Sequence, residues 1–343
     1  MPEPQAVIIN TGMMTSVGLT ANETVASVSA DIMQFLESAI VDRTFDPIKL
    51  ALVPDDALPD LLELTNAPAR HKRMLKLATM PLLECVEPVL GKDVSLPLCL
   101  ALPSVEAVTP IDGTQFLMDL LVQSEECFSL DGSRYFTSGR AGGLSSIALA
   151  AQQVNSGAAE FAIAGGVDSY LSLPLLAALD AEARIKSRSN LDGFIPGEGA
   201  GFVLVASRAA AETHNLEIMA TISRVVEGRE VGHLYTDKPY LGEGLAGVIT
   251  DLLQDRDEQT LISRIFSSMN GERYWGKEWG VAYLRNQQAF LPEHSLVHPA
   301  DCFGDIGAAA GSILPGLAAR SDGPSIVYCS SDRGQRSALI VAA

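Results

Sequence analysis

The stretch Tyr135-Phe-Thr-Ser-Gly-Arg140-Ala-Gly-Gly143 runs into Leu144-Ser-Ser-Ile-Ala-Leu-Ala-Ala-Gln-Gln-Val-Asn-Ser-Gly157 and then into Phe161-Ala-Ile-Ala164-Gly165-Gly166. Its middle part reads as a helix of small residues closed at Gly157, and its last part as an apolar run closed by two glycines.

Working outward, Ala6-Val-Ile-Ile-Asn-Thr-Gly-Met-Met-Thr-Ser-Val-Gly18 reads as an opening strand turning into a first helix. Asp192-Gly-Phe-Ile-Pro-Gly-Glu-Gly-Ala-Gly-Phe-Val-Leu-Val205 is a glycine-rich approach to a strand. Phe303-Gly-Asp-Ile-Gly-Ala-Ala-Ala-Gly311 and Ser330-Ser-Asp-Arg-Gly-Gln335 close the series. Taken in this order, the segments resemble the β-ketoacyl synthases of the thiolase fold over nearly the whole chain. The resemblance implies an α/β, thiolase-like five-layer αβαβα sandwich of two pseudo-duplicated halves. The halves are placed at 1–207 and 208–343 and are expected to form one cooperative unit.

The same resemblance implies a degenerate active site. In that family a Cys ends a strand and opens the buried helix; counting back from Gly157 by the commonest spacing lands on Arg140, and one extra helix residue lands on Gly139. The chemistry needs a thiolate and two bases, usually His. Asn270-Gly271-Glu272 stands where a His-Gly-Thr segment is expected, and Gly304, following Phe303, stands at the second His. The nearby family Lys is replaced by Pro299, or by His298 after a one-residue slip. No catalytic residue is therefore assigned. Arg140, Asn270, Glu272, Phe303, Gly304 and Asp305 are assigned to the degenerate pocket, with Arg140 expected to pair with Glu272 or Asp305 as an ionic lock between the halves.

Composition agrees with a large α/β protein: 343 residues at 47% hydrophobic content supply an ample core, and strand and helix signals alternate in both halves. With 24 basic and 42 acidic side chains the formal charge is −18, which opposes binding to nucleic acid or an anionic membrane. It also disfavours an acidic acyl carrier protein. His71-Lys-Arg-Met-Leu-Lys76 is a local basic patch at the start of a helix running to about Val86; it reads as a solvated helix start before a docking patch, and Pro81 is expected to kink or divide the helix. No signal-like segment or membrane-length apolar run is present, so a cytoplasmic location is expected.

Five scattered cysteines (85, 99, 127, 302 and 329) without CxxC pairs indicate neither a disulfide framework nor a zinc site, and no cofactor or metal is expected. Only Cys302, two residues before Gly304, is placed to border the ancestral pocket. Gly197-x-Gly199-x-Gly201 leads into a strand and makes a poor phosphate cradle. Ser138, Ser145 and Ser146 have no identifiable His partner, and His294 with His298 is followed by Pro299, so neither a hydrolase nor a metal site is read.

Asn270-Gly-Glu-Arg-Tyr-Trp-Gly-Lys-Glu-Trp-Gly280 reads as a turn and a helix with inward Tyr274 and Trp275 or Trp279, or else as a partner-binding surface. It resembles a motif of the degenerate ketosynthase-like proteins associated with type VI secretion spike and effector genes. Two functions follow from the resemblance. One is a non-condensing protein that binds another protein, as a secretion adaptor or chaperone or as a silent partner of an active synthase. The other is an acyl-transfer or hydrolytic enzyme with a rebuilt pocket, an acyltransferase of the 3-oxoacyl-ACP synthase type. The family resemblance also implies a homodimer, or a heterodimer with a related synthase, through the strand Phe161 to Ala164.

Overall fold

The computed structural model describes residues 5–62, 64, 66–254 and 261–343. The first half of the chain carries β1 (Ala6–Thr15), α1 (Ala21–Ser29), β2 (Leu36–Val41), β3 (Pro47–Leu50), α2 (Ala69–Val86), β4 (Pro97–Ala101) and α3 (Gly113–Gln123). It continues through β5 (Ser129–Phe136), α4 (Gly142–Asn155), β6 (Phe161–Ser169), α5 (Leu173–Ala181) and β7 (Glu198–Ser207). Then come α6 (Arg208–Thr213), β8 (Ala220–Ile222), β9 (Val226–Arg229), α7 (Glu243–Leu253), β10 (Ile262–Ser267) and α8 (Arg273–Asn286). The chain ends with β11 (Phe290–Val297), α9 (Ala300–Phe303), α10 (Ala310–Ala318), β12 (Pro324–Ser330) and β13 (Gln335–Ala342).

Strand pairing repeats. Before residue 208 the order is β5-β4-β6-β7-β1, and after it β11-β10-β12-β13-β8. Numbered within each set, both orders read 3-2-4-5-1, and in both only the fifth strand (β7 or β13) runs antiparallel to its neighbours. The two sets meet edge to edge where β1 pairs β8 at Val7↔Thr221 and Ile8↔Ala220.

Burial shows why these segments layer. The small-residue helix α4 and the helix α10 lie between the two sets of strands, in one core that includes Ile8, Ala164 and Val203 from one side and Val327, Leu339 and Val341 from the other. A second core packs α2 and α3 on the outer face of the first set through Met74, Leu82, Phe116 and Leu120. A third packs α7 and α8 on the second set through Leu245, Ile249, Trp279 and Ala282. Gly143 and Gly311 mark the crossing of the two central helices: a Cβ on Gly143 would lie 2.5 Å from Gly311 Cα. Glycine is required there so that the backbones can touch.

Three expectations are corrected. β6 (Phe161–Ser169) is flanked by β4 and β7 and has no free edge; the edge of this set is β5, with Leu130 and Tyr135 exposed. A strand hydrogen-bonded on both sides cannot extend the sheet across a twofold axis. Pro81 does not divide α2, which runs unbroken from Ala69 to Val86. The basic patch is not simply a solvated helix start: His71 bonds Asp119 at 2.8 Å and Arg73 bonds Glu198, while Lys72 and Lys76 are half-buried.

Trp275 and Trp279 are both buried, as the inward reading of the Asn270–Gly280 segment expects, while Arg273, Gly276 and Lys277 of the same segment are exposed. Cys302 is also buried, in the central core, and burial pushes its thiol up to about 11. No helix among the described residues is long and apolar enough to cross a membrane.

Candidate functional site

Arg140 sits in the single tight turn between β5 and α4, preceded by Gly139 at φ +67°. Its guanidinium points inward and is 4% exposed. Nε donates to Asp305 Oδ1 at 3.1 Å and Nη2 donates to Asp305 Oδ2, a two-pronged contact that matches the planar carboxylate. Nη1 donates to Asp332 Oδ1 at 2.7 Å. Burial alone would lower the Arg140 pKa, but the Asp305 and Asp332 charges outweigh it and hold the group well above its ordinary range.

Glu272 does not pair with Arg140. Its oxygens accept Nε and Nη2 of Arg184, both at 2.8 Å, and Arg184 Nη1 also reaches Asp332 Oδ2 at 2.7 Å. The physical reason lies in the chain: Glu272 stands just before α8 with its carboxylate turned to Arg184 and not to the helix N–H groups, while Asp305 follows the sharp bend at Gly304 (φ +70°) and meets Arg140. Asn270 ties the two acids together, donating to Glu272 Oε2 at 3.1 Å and to Asp305 Oδ2 at 2.8 Å. Trp275 Nε1 donates to Glu272 Oε2 at 3.0 Å, and its ring lies 5.4 Å from the Arg140 guanidinium carbon.

The network therefore holds two guanidinium groups and three carboxylates. Both cations come from before residue 208 and all three acids from after it. Asp332 is the shared member: burial would raise its pKa, but Arg140 and Arg184 drive it well below the usual carboxylate range. For Arg184, burial acts downward and Asp332 with Glu272 acts upward and wins. Each buried charge has a counter-charge within bonding distance, which is the condition for burying charges at all.

Of the six residues assigned to the pocket, Arg140, Asn270, Glu272 and Asp305 meet here. Phe303 instead packs in the central core, and Gly304 contributes only backbone: a Cβ there would lie 2.6 Å from Ile195 O. His298 pairs with Asp301 at 2.9 Å, away from the network. The reading missed Arg184 and Asp332. Asp332 lay within the quoted Ser330–Gln335 loop, whereas nothing local to Arg184 marks it.

A cleft of about 160 Å³ opens beside the network. Its lining includes the charged Arg140, Arg184, Asp332 and Asp168, the phenol of Tyr170, and the apolar Val108, Leu175, Ala178 and Leu179. Burial, reinforced by Asp305, raises the Tyr170 hydroxyl well above its ordinary pKa, so it stays protonated. Asp168 is raised by burial in spite of Arg70. Among the described residues, no group of three or more His, Cys, Asp and Glu could hold a metal ion.

With this geometry in hand, comparison supplies the context. Residues 127–211 match the family described as Beta-ketoacyl synthase, N-terminal domain, a span running from before β5 to α6 that contains Arg140. No curated protein sequence matches. Solved structures do. The chain is similar to the type II PKS acyl-carrier protein in complex with its ketosynthase bound to the hexaketide: TM-score 0.82, 14% identity, covering 99% of this chain and 100% of that one. The fold is that of the ketosynthases. The ishigamide ketosynthase/chain length factor superposes with a TM-score of 0.75 at 16% identity, with 99% of each chain covered. The ketosynthase from module 6 of the bacillaene synthase of Bacillus subtilis 168 gives 0.77 at 14% identity, over 98% of this chain and 72% of that one. The ketosynthase-like fold thus spans the described chain, and its elbow carries Arg140 bonded to Asp305.

Proposed function

We propose that this chain is a non-condensing ketosynthase-like protein that works by binding another protein. The observation that supports this most is the two-pronged Arg140–Asp305 contact, reinforced by Asp332, at the turn where a thiolate would have to stand. A guanidinium has no lone pair to attack a thioester, and here it is wedged between two carboxylates. The second base position is Gly304, where a side chain would collide with Ile195 O. Loss of nucleophile and bases removes transition-state stabilisation that no neighbouring group replaces.

Two forms of binding are consistent with this reading. A silent partner of an active synthase is favoured by the free edge of β5 with Leu130 and Tyr135 exposed, and by the likeness to a structure described as a ketosynthase/chain length factor. A secretion adaptor or chaperone rests on the Asn270–Gly280 motif, whose most distinctive polar residues are turned inward: Asn270 and Glu272 in the ion network, Glu278 on Arg336 at 2.6 Å, leaving Arg273 and Lys277 on the outer face. The silent-partner form is therefore preferred. The alternative of an acyl-transfer or hydrolytic enzyme gains no observation, since Ser145 bonds Glu227 and Ser146 bonds Gly143 O and Gly165 O.

The test combines chemistry and assembly. After incubation with acyl-CoA and acyl carrier substrates, intact mass measurement is expected to show no covalent acyl adduct; an adduct overturns the non-enzymatic reading. Co-expression with a ketosynthase encoded near its gene is expected to yield a one-to-one complex by light scattering. Failure of that complex, with the mass result intact, returns the secretion role to first place.

A further inference from the structure

Asp332 differs from the rest of the network in one respect. Arg140, Asp305, Arg184 and Glu272 have side chains 2–9% exposed, whereas Asp332 is 26% exposed. It lies on the four-residue connection between β12 and β13, whose Gly334 takes φ +101°, and its carboxylate lines the 160 Å³ cleft. Three guanidinium contacts converge on it: Arg140 Nη1 at 2.7 Å, Arg184 Nη1 at 2.7 Å and Arg184 Nη2 at 3.4 Å. The two arginines are held from behind by Asp305 and Glu272, so their positions do not depend on Asp332. That is a fixed two-arginine fork presented to a cleft, with a carboxylate of the protein's own already seated in it.

We infer that the cleft is a binding site for a small aliphatic carboxylic acid, with Arg140 and Arg184 as the fork and Asp332 as the endogenous occupant that an incoming carboxylate displaces. Paired guanidinium groups recognise planar carboxylates through charge-assisted bonds, and Lys would not substitute. The tail of the acid would lie against Leu175, Ala178, Leu179 and Val108, the apolar residues that line the same cleft. Tyr170, protonated and without a hydrogen-bond partner for its hydroxyl among the described residues, also lines the cleft and can donate to the second oxygen. A volume of about 160 Å³ has room for a short chain. The inference concerns the cleft alone and stands whether or not the protein-binding reading does.

Displacement makes a quantitative demand. If Asp332 fills the fork more than nine-tenths of the time, the apparent affinity for an external acid is reduced by about tenfold, and removing the occupant restores it. The probe is butyrate, titrated into the full chain and followed by ligand-observed NMR and by calorimetry, with n-butanol and butylamine as tail-matched controls at constant ionic strength. Wild type is expected to bind butyrate weakly, and Asp332→Ala to bind it at least about ten times more tightly, with neither control binding. Asp332→Asn, which removes charge while keeping size, serves if the alanine variant does not fold, and is expected to fall between the two. Equal affinity of butyrate for wild type and either folded variant, or binding of butanol as tight as that of butyrate, overturns the inference. So does retention of butyrate binding in Asp332→Ala when Arg184→Met is added to it.

Discussion

Arg140 and Asp305 are 165 residues apart in sequence and form a two-pronged contact in which Nε and Nη2 of one side chain meet both oxygens of the other. Both are buried, and the contact joins the turn before α4 to the turn before α10. Removing one member of such a pair leaves a charge stranded out of water, so Arg140→Ala is expected to lower unfolding free energy by about 3–5 kcal/mol. Chemical denaturation checks this, and a loss under about 1 kcal/mol would mean that the pair holds nothing together.

Arg140→Cys places a thiol at the elbow but is expected to restore no condensing activity. The second base position remains Gly304, which takes φ +70° and has no room for a Cβ. Gly304→His added to it is expected to unfold the turn and not to complete a site. Product formation from acyl and malonyl thioesters, followed by mass spectrometry, is the measurement.

Gly143→Ala is expected to destabilise by roughly 1–3 kcal/mol or more, because the new methyl meets the Gly311 backbone at 2.5 Å and neither central helix can withdraw from the core. A substitution that normally favours a helix would here lower the melting temperature.

Asp332 governs part of the acid limb. Its folded pKa lies below its ordinary 3.8, so its contribution is fully present above that value and is lost as pH falls through the lower folded value. Asp332→Asn should therefore be less stable than wild type at neutral pH, and the gap should close as pH falls below about 4. Melting temperatures across an acid series test the sign: a gap that widens on acidification contradicts it.

Thiol labelling should find at most one reactive cysteine in the folded chain. Burial pushes Cys99 and Cys329 up to about 12 and Cys302 to about 11, Cys85 is also fully buried and raised, and only Cys127 is partly exposed. Fast modification at neutral pH of two or more thiols, counted by intact mass, would contradict the packing.

The sandwich was implied by a family resemblance, and that resemblance was legible because each of its landmarks is a short-range feature. The small-residue helix at 142–155 ends at a glycine with φ +74°, and the glycine-rich run before Val205 enters a fully buried strand. That Arg140, Asn270 and Gly304 are neither Cys nor His is likewise visible in single positions. What these residues became was only half legible: Asp305 as the partner of Arg140 follows from two loops that the fold brings together, but Glu272 belongs to Arg184.

The sequence by itself determined the order and type of the elements, the residues that stand at the elbow and the need for an acid beside Arg140. Tertiary structure decided which acid, the role of Asp332 as the shared counter-ion, the pairing of His71 and Arg73 on α2 and the placing of β6 inside the sheet. The division has one physical cause. Helix and strand periodicity and a glycine's tolerance of positive φ act over a few residues, whereas ion pairing and strand adjacency depend on distances between atoms more than a hundred residues apart in the chain, which nothing short of the folded coordinates specifies.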